Sequence, residues 1–143
     1  MEFESIQETR EFLVRSVLLN PHRDSQPELR KALSYISRER VNKPMIYVGM
    51  ATCGRIAGAE ATFQAIRHYL DDNLIDAELI EGGCLGICSE EPLVDVQLPG
   101  KARISFSRVD AGSVQRILDD ILNQRIPEAG ILGQYASPIY RPW

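Results

Sequence analysis

Met45-Ile46-Tyr47-Val48-Gly49-Met50-Ala51-Thr52-Cys53 is the stretch whose reading decides the fold. Its first four residues are continuously apolar, as expected of a strand buried on both faces of a parallel sheet. A glycine ends the run and a cysteine stands just beyond it. Downstream, Ala59, Phe63, Ile66 and Leu70 recur at steps of four, three and four residues, which predicts a helix over 57–72. Residues 75–80 supply a second strand, which a right-handed crossover sets parallel to the first and beside it. Next, 93–98 and 102–106 flank Pro99-Gly100-Lys101, and Val94, Val96 and Leu98 alternate with Asp95 and Gln97. That pattern predicts a β-hairpin closing the sheet. Asp110 is placed to cap a last helix running to Gln124, with Val114, Ile117, Leu118 and Ile121 as its apolar stripe. The predicted order is β-α-β-β-β-α, an α/β fold with a four-stranded mixed sheet.

Outward from this block the pattern changes on both sides. Phe3, Ile6, Leu13, Val14, Val17 and Leu18 predict a helix over 3–19, ended by Asn20-Pro21. A second helix is expected from Pro27, through Leu29, Leu33 and Ile36, to about Arg40. Residues 1–42 thus read as a helical arm, either a packed hairpin or a docking element, before a domain at 43–125. The tail, 126–143, contains Pro127, Gly130, Gly133, Pro138 and Pro142 and is predicted to be irregular. It also carries Ile131, Leu132, Tyr135, Ile139, Tyr140 and Trp143, too many apolar groups to leave in water. It reads as a strap against its own domain or another subunit.

Composition sets the outer limits. A chain of 143 residues with 44% hydrophobic and 25% charged residues is one ordinary globular domain's worth. Its net charge of −4 provides no basic field for a phosphate backbone, which argues against nucleic acid as a partner. The acidic start Met1-Glu2-Phe3-Glu4-Ser5 is unlike a secretory signal, and no apolar run approaches the roughly 20 residues of a membrane span. A cytoplasmic protein is expected. No dinucleotide-binding glycine fingerprint appears, and two histidines do not furnish a nucleophile, base and orienting acid, so no catalytic residue is predicted.

Three cysteines carry the chemistry. Cys53 follows the first strand, whereas Cys84 and Cys88 follow the second, within Gly82-Gly83-Cys84-Leu85-Gly86-Ile87-Cys88. In a parallel sheet both exits share one edge, the edge where α/β folds place their sites. Gly83 and Gly86 let backbone N–H groups approach the sulfurs, as iron–sulfur ligation requires, and Leu85 and Ile87 are expected to limit water access. Other readings compete. Zinc would want a fourth ligand, for which only His22 and His68 are on offer, and His68 lies about 16 Å along its predicted helix at about 1.5 Å per residue. A redox dithiol would want two residues between its cysteines rather than three. Three buried cysteines can also serve as small hydrophobes.

At Val48-Gly49-Met50-Ala51-Thr52-Cys53-Gly54 and Gly83-Cys84-Leu85-Gly86-Ile87-Cys88-Ser89-Glu90-Glu91-Pro92-Leu93-Val94 the sequence resembles the thioredoxin-like [2Fe–2S] ferredoxins. It is most similar there to the B subunits of NADP-reducing hydrogenases and to the domain in front of the FMN- and NADH-binding subunits of bifurcating hydrogenases. The resemblance implies a thioredoxin-like fold, with Cys53, Cys84 and Cys88 as ligands of a [2Fe–2S] cluster. It also implies a larger redox complex with an FMN- and NAD(P)H-binding iron–sulfur subunit as partner. The family's cluster-binding form has a fourth cysteine, which falls here at Val48 or, with Cys53 taken as the first, at Gly58. Neither side chain can ligate iron, so a fourth donor would come from a nearby side chain, another subunit or a small molecule. Two functions are therefore expected to compete: an electron-transfer or adaptor subunit, and a cluster-free structural interaction module.

Overall fold

In the computed structural model the described residues are 5–22, 25–128, 130–137, 140, 142 and 143. Phe3, Pro138 and Ile139, which figure in the expectations above, lie outside them. The chain divides into two units, Met1–Arg40 and Val41–Trp143.

In the second unit five strands form one sheet in the order β2-β1-β3-β4-β5. They are β1 (Met45–Gly49), β2 (Glu78–Gly82), β3 (Val94–Gln97), β4 (Ile104–Phe106) and β5 (Ile131–Gln134). Only β1 and β2 run parallel, and β3, β4 and β5 add antiparallel neighbours. Because side chains alternate across a strand, register puts Ile46 opposite Val96 and Val48 opposite Val94, which in turn faces Phe106. All five belong to one buried core. Helices α4 (Ala59–Asp72) and α5 (Val114–Leu122) close that face with Phe63, Ile66, Leu70, Ile117, Leu118 and Ile121. The alternate residues Tyr47, Asp95 and Ser105 form a polar row, where Ser105 donates to Asp95 and the Tyr135 hydroxyl donates to it at 3.1 Å.

The thioredoxin-like α/β fold expected from the sequence is the one observed, with one strand more. The tail supplies β5, clipped at its ends by the Ser107 N–H to the Gly130 carbonyl at 2.7 Å and the Tyr135 N–H to the Arg103 carbonyl at 2.8 Å. Trp143 also returns to the core and donates its indole N–H to the Ala102 carbonyl at 2.8 Å. The expectation of an irregular tail is therefore corrected: pairing with β4 imposes order that glycine and proline content conceals.

Boundaries shift for local reasons. The predicted 57–72 helix begins at Ala59, because Gly58 sits at φ 102° and separates it from a short helix α3 (Thr52–Ile56). The second strand begins at Glu78 rather than 75. Leu74 turns left-handed at φ 51°, the Ile75 N–H satisfies the Leu70 carbonyl, and pairing starts with the Glu78 N–H on the Pro44 carbonyl. The Glu91–Pro92 peptide ahead of β3 is cis.

The first unit holds α1 (Ile6–Phe12), capped by the Ser5 hydroxyl accepting the Glu8 N–H at 3.2 Å. A π-helical segment (Leu13–Leu18) follows, so the helix expected over 3–19 changes pitch midway. The Asn20 side chain accepts the His22 N–H at 2.9 Å, an Asx turn that ends the segment. Helix α2 (Pro27–Ile36) starts on its proline and stops short of Arg40, since Arg38 adopts φ 59°. No described helix is long and apolar enough to cross a membrane.

Candidate metal centre

Parallel pairing of β1 with β2 places Gly49 opposite Gly82, so the chain leaves both strands at one end of the sheet. The Met50 N–H bonds the Gly82 carbonyl at 2.9 Å and holds the two exits together. From there the first turn of α3 carries Cys53, and the loop after β2 carries Cys84 and then Cys88, the first residue of a 3-10 turn (Cys88–Glu90). Their sulfurs converge within 4.8 Å of one another. Cys53 Sγ lies 3.7 Å from Cys84 Sγ, which lies 3.7 Å from Cys88 Sγ.

Two glycines make the approach possible. Gly54 is buried so tightly that a Cβ there would stand 2.1 Å from the Gly49 carbonyl oxygen. Gly86 adopts φ 81° and turns its N–H onto Cys84 Sγ at 3.2 Å. Gly83 faces open space and leaves the loop uncrowded. Arg55 fixes α3 from outside, with Nε on the Met50 carbonyl at 2.9 Å and Nη1 on Glu60 at 3.0 Å.

The protons are unevenly shared. Cys53 is pushed up to about 12, chiefly by its hydrogen bonds with Cys88 and Cys84 and further by desolvation. Cys84 is lowered, first by the Gly86 N–H and then by the Cys53 and Cys88 thiols. Cys84 thus carries the negative charge a metal ligand needs more readily than Cys53 does.

Two sulfurs held tetrahedrally at about 2.3 Å from one metal lie roughly 3.8 Å apart. The observed 3.7 Å separations match that spacing, so neighbouring thiols can share one thiophilic metal or one iron of a cluster. They are not small hydrophobes sealed in a core, because Cys84 and Cys88 are exposed and Cys53 is half-buried. Leu85 and Ile87, expected to limit water access, instead stand 52% and 40% exposed. They form an apolar rim that only another surface would cover. A shallow groove of about 180 Å³ runs beside it, between Tyr47, Gly83, Leu85 and Arg103.

Neither family position for a fourth cysteine replaces it. Val48 is fully buried in the core, and Gly58 has no side chain. His68 is an exposed residue of α4 and is not among the converging donors. One nearby residue was missed by sequence reasoning. Glu91 is 7% exposed, with Oε1 3.9 Å from Cys53 Sγ and Oε2 accepting the Leu93 N–H at 2.7 Å. No local signal marks it, since it stands in the polar run Ser89-Glu90-Glu91 and is enclosed by the distant Gly49 and Gly54.

No family model matches the chain. Over 94 residues it is 30% identical to the NADP-reducing hydrogenase subunit HndB of Solidesulfovibrio fructosivorans, a match spanning 65% of this chain and 75% of HndB. Among solved structures, a thioredoxin-like [2Fe–2S] ferredoxin from Aquifex aeolicus superposes with a TM-score of 0.57 at 16% identity, covering 68% of this chain and 97% of the ferredoxin. Its wild-type crystal structure at 1.5 Å gives 0.55 at 15% identity, covering 65% and 99%. At that identity the likeness establishes the fold.

Proposed function

Since the chain belongs to the family of the NADP-reducing hydrogenase subunit HndB, we propose that it is an electron-transfer subunit of a cytoplasmic, multisubunit NAD(P)H-linked oxidoreductase. Its partner in this reading is an FMN- and NAD(P)H-binding iron–sulfur subunit. The observation that carries the reading is the convergence of three sulfurs at one exposed end of the sheet. Cys53, Cys84 and Cys88 would hold a [2Fe–2S] cluster, with the Gly86 N–H tuning the Cys84 sulfur. When bound, such a cluster supplies a one-electron couple. The chain's own contribution is to keep the thiols at the surface, where a partner can come within electron-transfer reach and cover Leu85 and Ile87. The arm 1–42 and the tail 126–143 are proposed as docking elements, because Ile6, Leu18 and Leu19 stand 89%, 69% and 72% exposed and Ile131 and Leu132 remain uncovered on β5.

A second reading, a cluster-free interaction module, is favoured by a specific observation: the whole chain has only three cysteines. Iron and acid-labile sulfide analysis, with visible absorption of anaerobically purified protein, separates the two. Electron transfer requires both elements in near-equal amounts and visible bands that bleach on reduction. Protein that stays colourless after anaerobic reconstitution overturns the relay in favour of the module.

A further inference from the structure

Resting on the cluster reading above, we infer that Glu91 is the fourth protein ligand, its carboxylate standing in for the cysteine that the chain lacks. Four observations meet at this side chain. The carboxylate is more than nine-tenths buried, and among the described residues no cation pairs with it. Among the described residues its hydrogen-bond donors are the Leu93 N–H on Oε2 and the Cys53 thiol on Oε1. Burying a carboxylate with so little compensation is costly unless it is paired or coordinates a metal. Third, the protein clears space for it on two sides. A Cβ at Gly49 would come within 2.9 Å of Oε2, and one at Gly54 within 3.2 Å.

Fourth, the spacing is that of a ligand. Oε1 lies 3.9 Å from Cys53 Sγ, close to the 3.7 Å that separates Cys84 from Cys88. Glu91 Oε1, Cys53, Cys84 and Cys88 thus follow one another at steps of 3.9, 3.7 and 3.7 Å, each about the edge length of a tetrahedral site. Carboxylate oxygen is an established donor to iron. Val48, Gly58 and His68 offer no donor at this place. The Leu93 N–H holds Oε2 and leaves Oε1 aimed at the thiols, so the carboxylate is set in position before any metal arrives.

The test compares wild type, Glu91→Gln and Glu91→Cys after anaerobic reconstitution with iron and sulfide, with circular dichroism as a check on folding. Glutamine keeps the shape and the acceptor for Leu93 but loses the anionic donor, so Glu91→Gln should hold at least tenfold less cluster at equal chelator concentration. Glu91→Cys should restore occupancy, with visible bands shifted towards those of an all-thiolate centre. Wild type loaded after growth on carboxyl-13C glutamate and then reduced should show a 13C coupling in electron–nuclear double resonance, a readout that needs no variant to fold. Equal occupancy and an identical spectrum in Glu91→Gln, with no 13C coupling in wild type, would overturn the ligand while leaving the cluster reading intact. A wild type that takes up no iron or sulfide would overturn both.

Discussion

Cys84 is the middle sulfur of the cluster, accepting the Gly86 N–H at 3.2 Å and lying 3.7 Å from each of the other two sulfurs. Cys84→Ser is therefore expected to eliminate or severely alter the visible spectrum of loaded protein, whereas His68→Ala should leave it unchanged. A spectrum indifferent to Cys84 would refute its role as a ligand. Gly54→Ala tests the packing beneath. Its new methyl would stand 2.1 Å from the Gly49 carbonyl, so α3 and the end of β1 must separate. Overpacking of this kind costs typically about 1–3 kcal/mol. Denaturant unfolding should show that loss, and a variant as stable as wild type would mean that the exit of β1 is softer than its contacts imply. The three cysteines were legible in the sequence because they follow two strands whose parallel pairing could be anticipated. Glu91 was not, since its burial is created by Gly49 and Gly54, about 40 residues upstream in the chain, and by no local pattern.

Elements were legible wherever the apolar period was strong, as in α4, α5 and the β3–β4 hairpin, whose turn places Gly100 at φ 78°. Strand β5 was not legible, because its partners on β4 lie about 27 residues away and edge pairing leaves all four of its residues exposed, without alternation. Helices α4 and α5 are also tied by a bond invisible in the sequence, from the Tyr69 hydroxyl to Asp119 Oδ1 at 2.6 Å. Burial, and then that bond and the carboxylate's charge, push the Tyr69 phenol up to about 12. A phenol whose folded value is raised stabilises the fold below its ordinary value of about 10 and loses that contribution as pH climbs through about 12. Tyr69→Phe should therefore be less stable at neutral pH by about 1.5 kcal/mol, the lower end of the range for a bond to a charged group at a part-buried site. The gap to wild type should narrow above pH 10. Denaturation midpoints at pH 7 and pH 11 check this, and a constant gap would assign the effect to packing alone.

At the scale of the whole molecule, the chain divides into two compact units at Arg40 and Val41. Every buried residue of the main core lies between Ile46 and Ile121, with Trp143 as a partly buried addition. In the first unit α1 buries no residue, whereas α2 buries Leu29, Ala32 and Ser34, none of which belongs to that core. It follows that the fold and the thiol cluster should survive removal of residues 1–40, whereas docking should not. The fragment 41–143 is expected to unfold in one cooperative transition and, after reconstitution, to show the same visible spectrum as the full chain. Co-expressed with the proposed flavin- and NAD(P)H-binding partner, it should be recovered with that partner at several-fold lower yield than the full chain. Removing 131–143 would be a poor substitute for this test, because it strips β5 from the sheet and Trp143 from the core and so lowers stability together with any docking. A milder probe of the tail is Leu132→Asp, which charges an exposed position on β5 while leaving its backbone pairing in place. A fragment 41–143 that assembles as well as the full chain, with Leu132→Asp assembling poorly, would move the docking surface from the arm to the β5 edge.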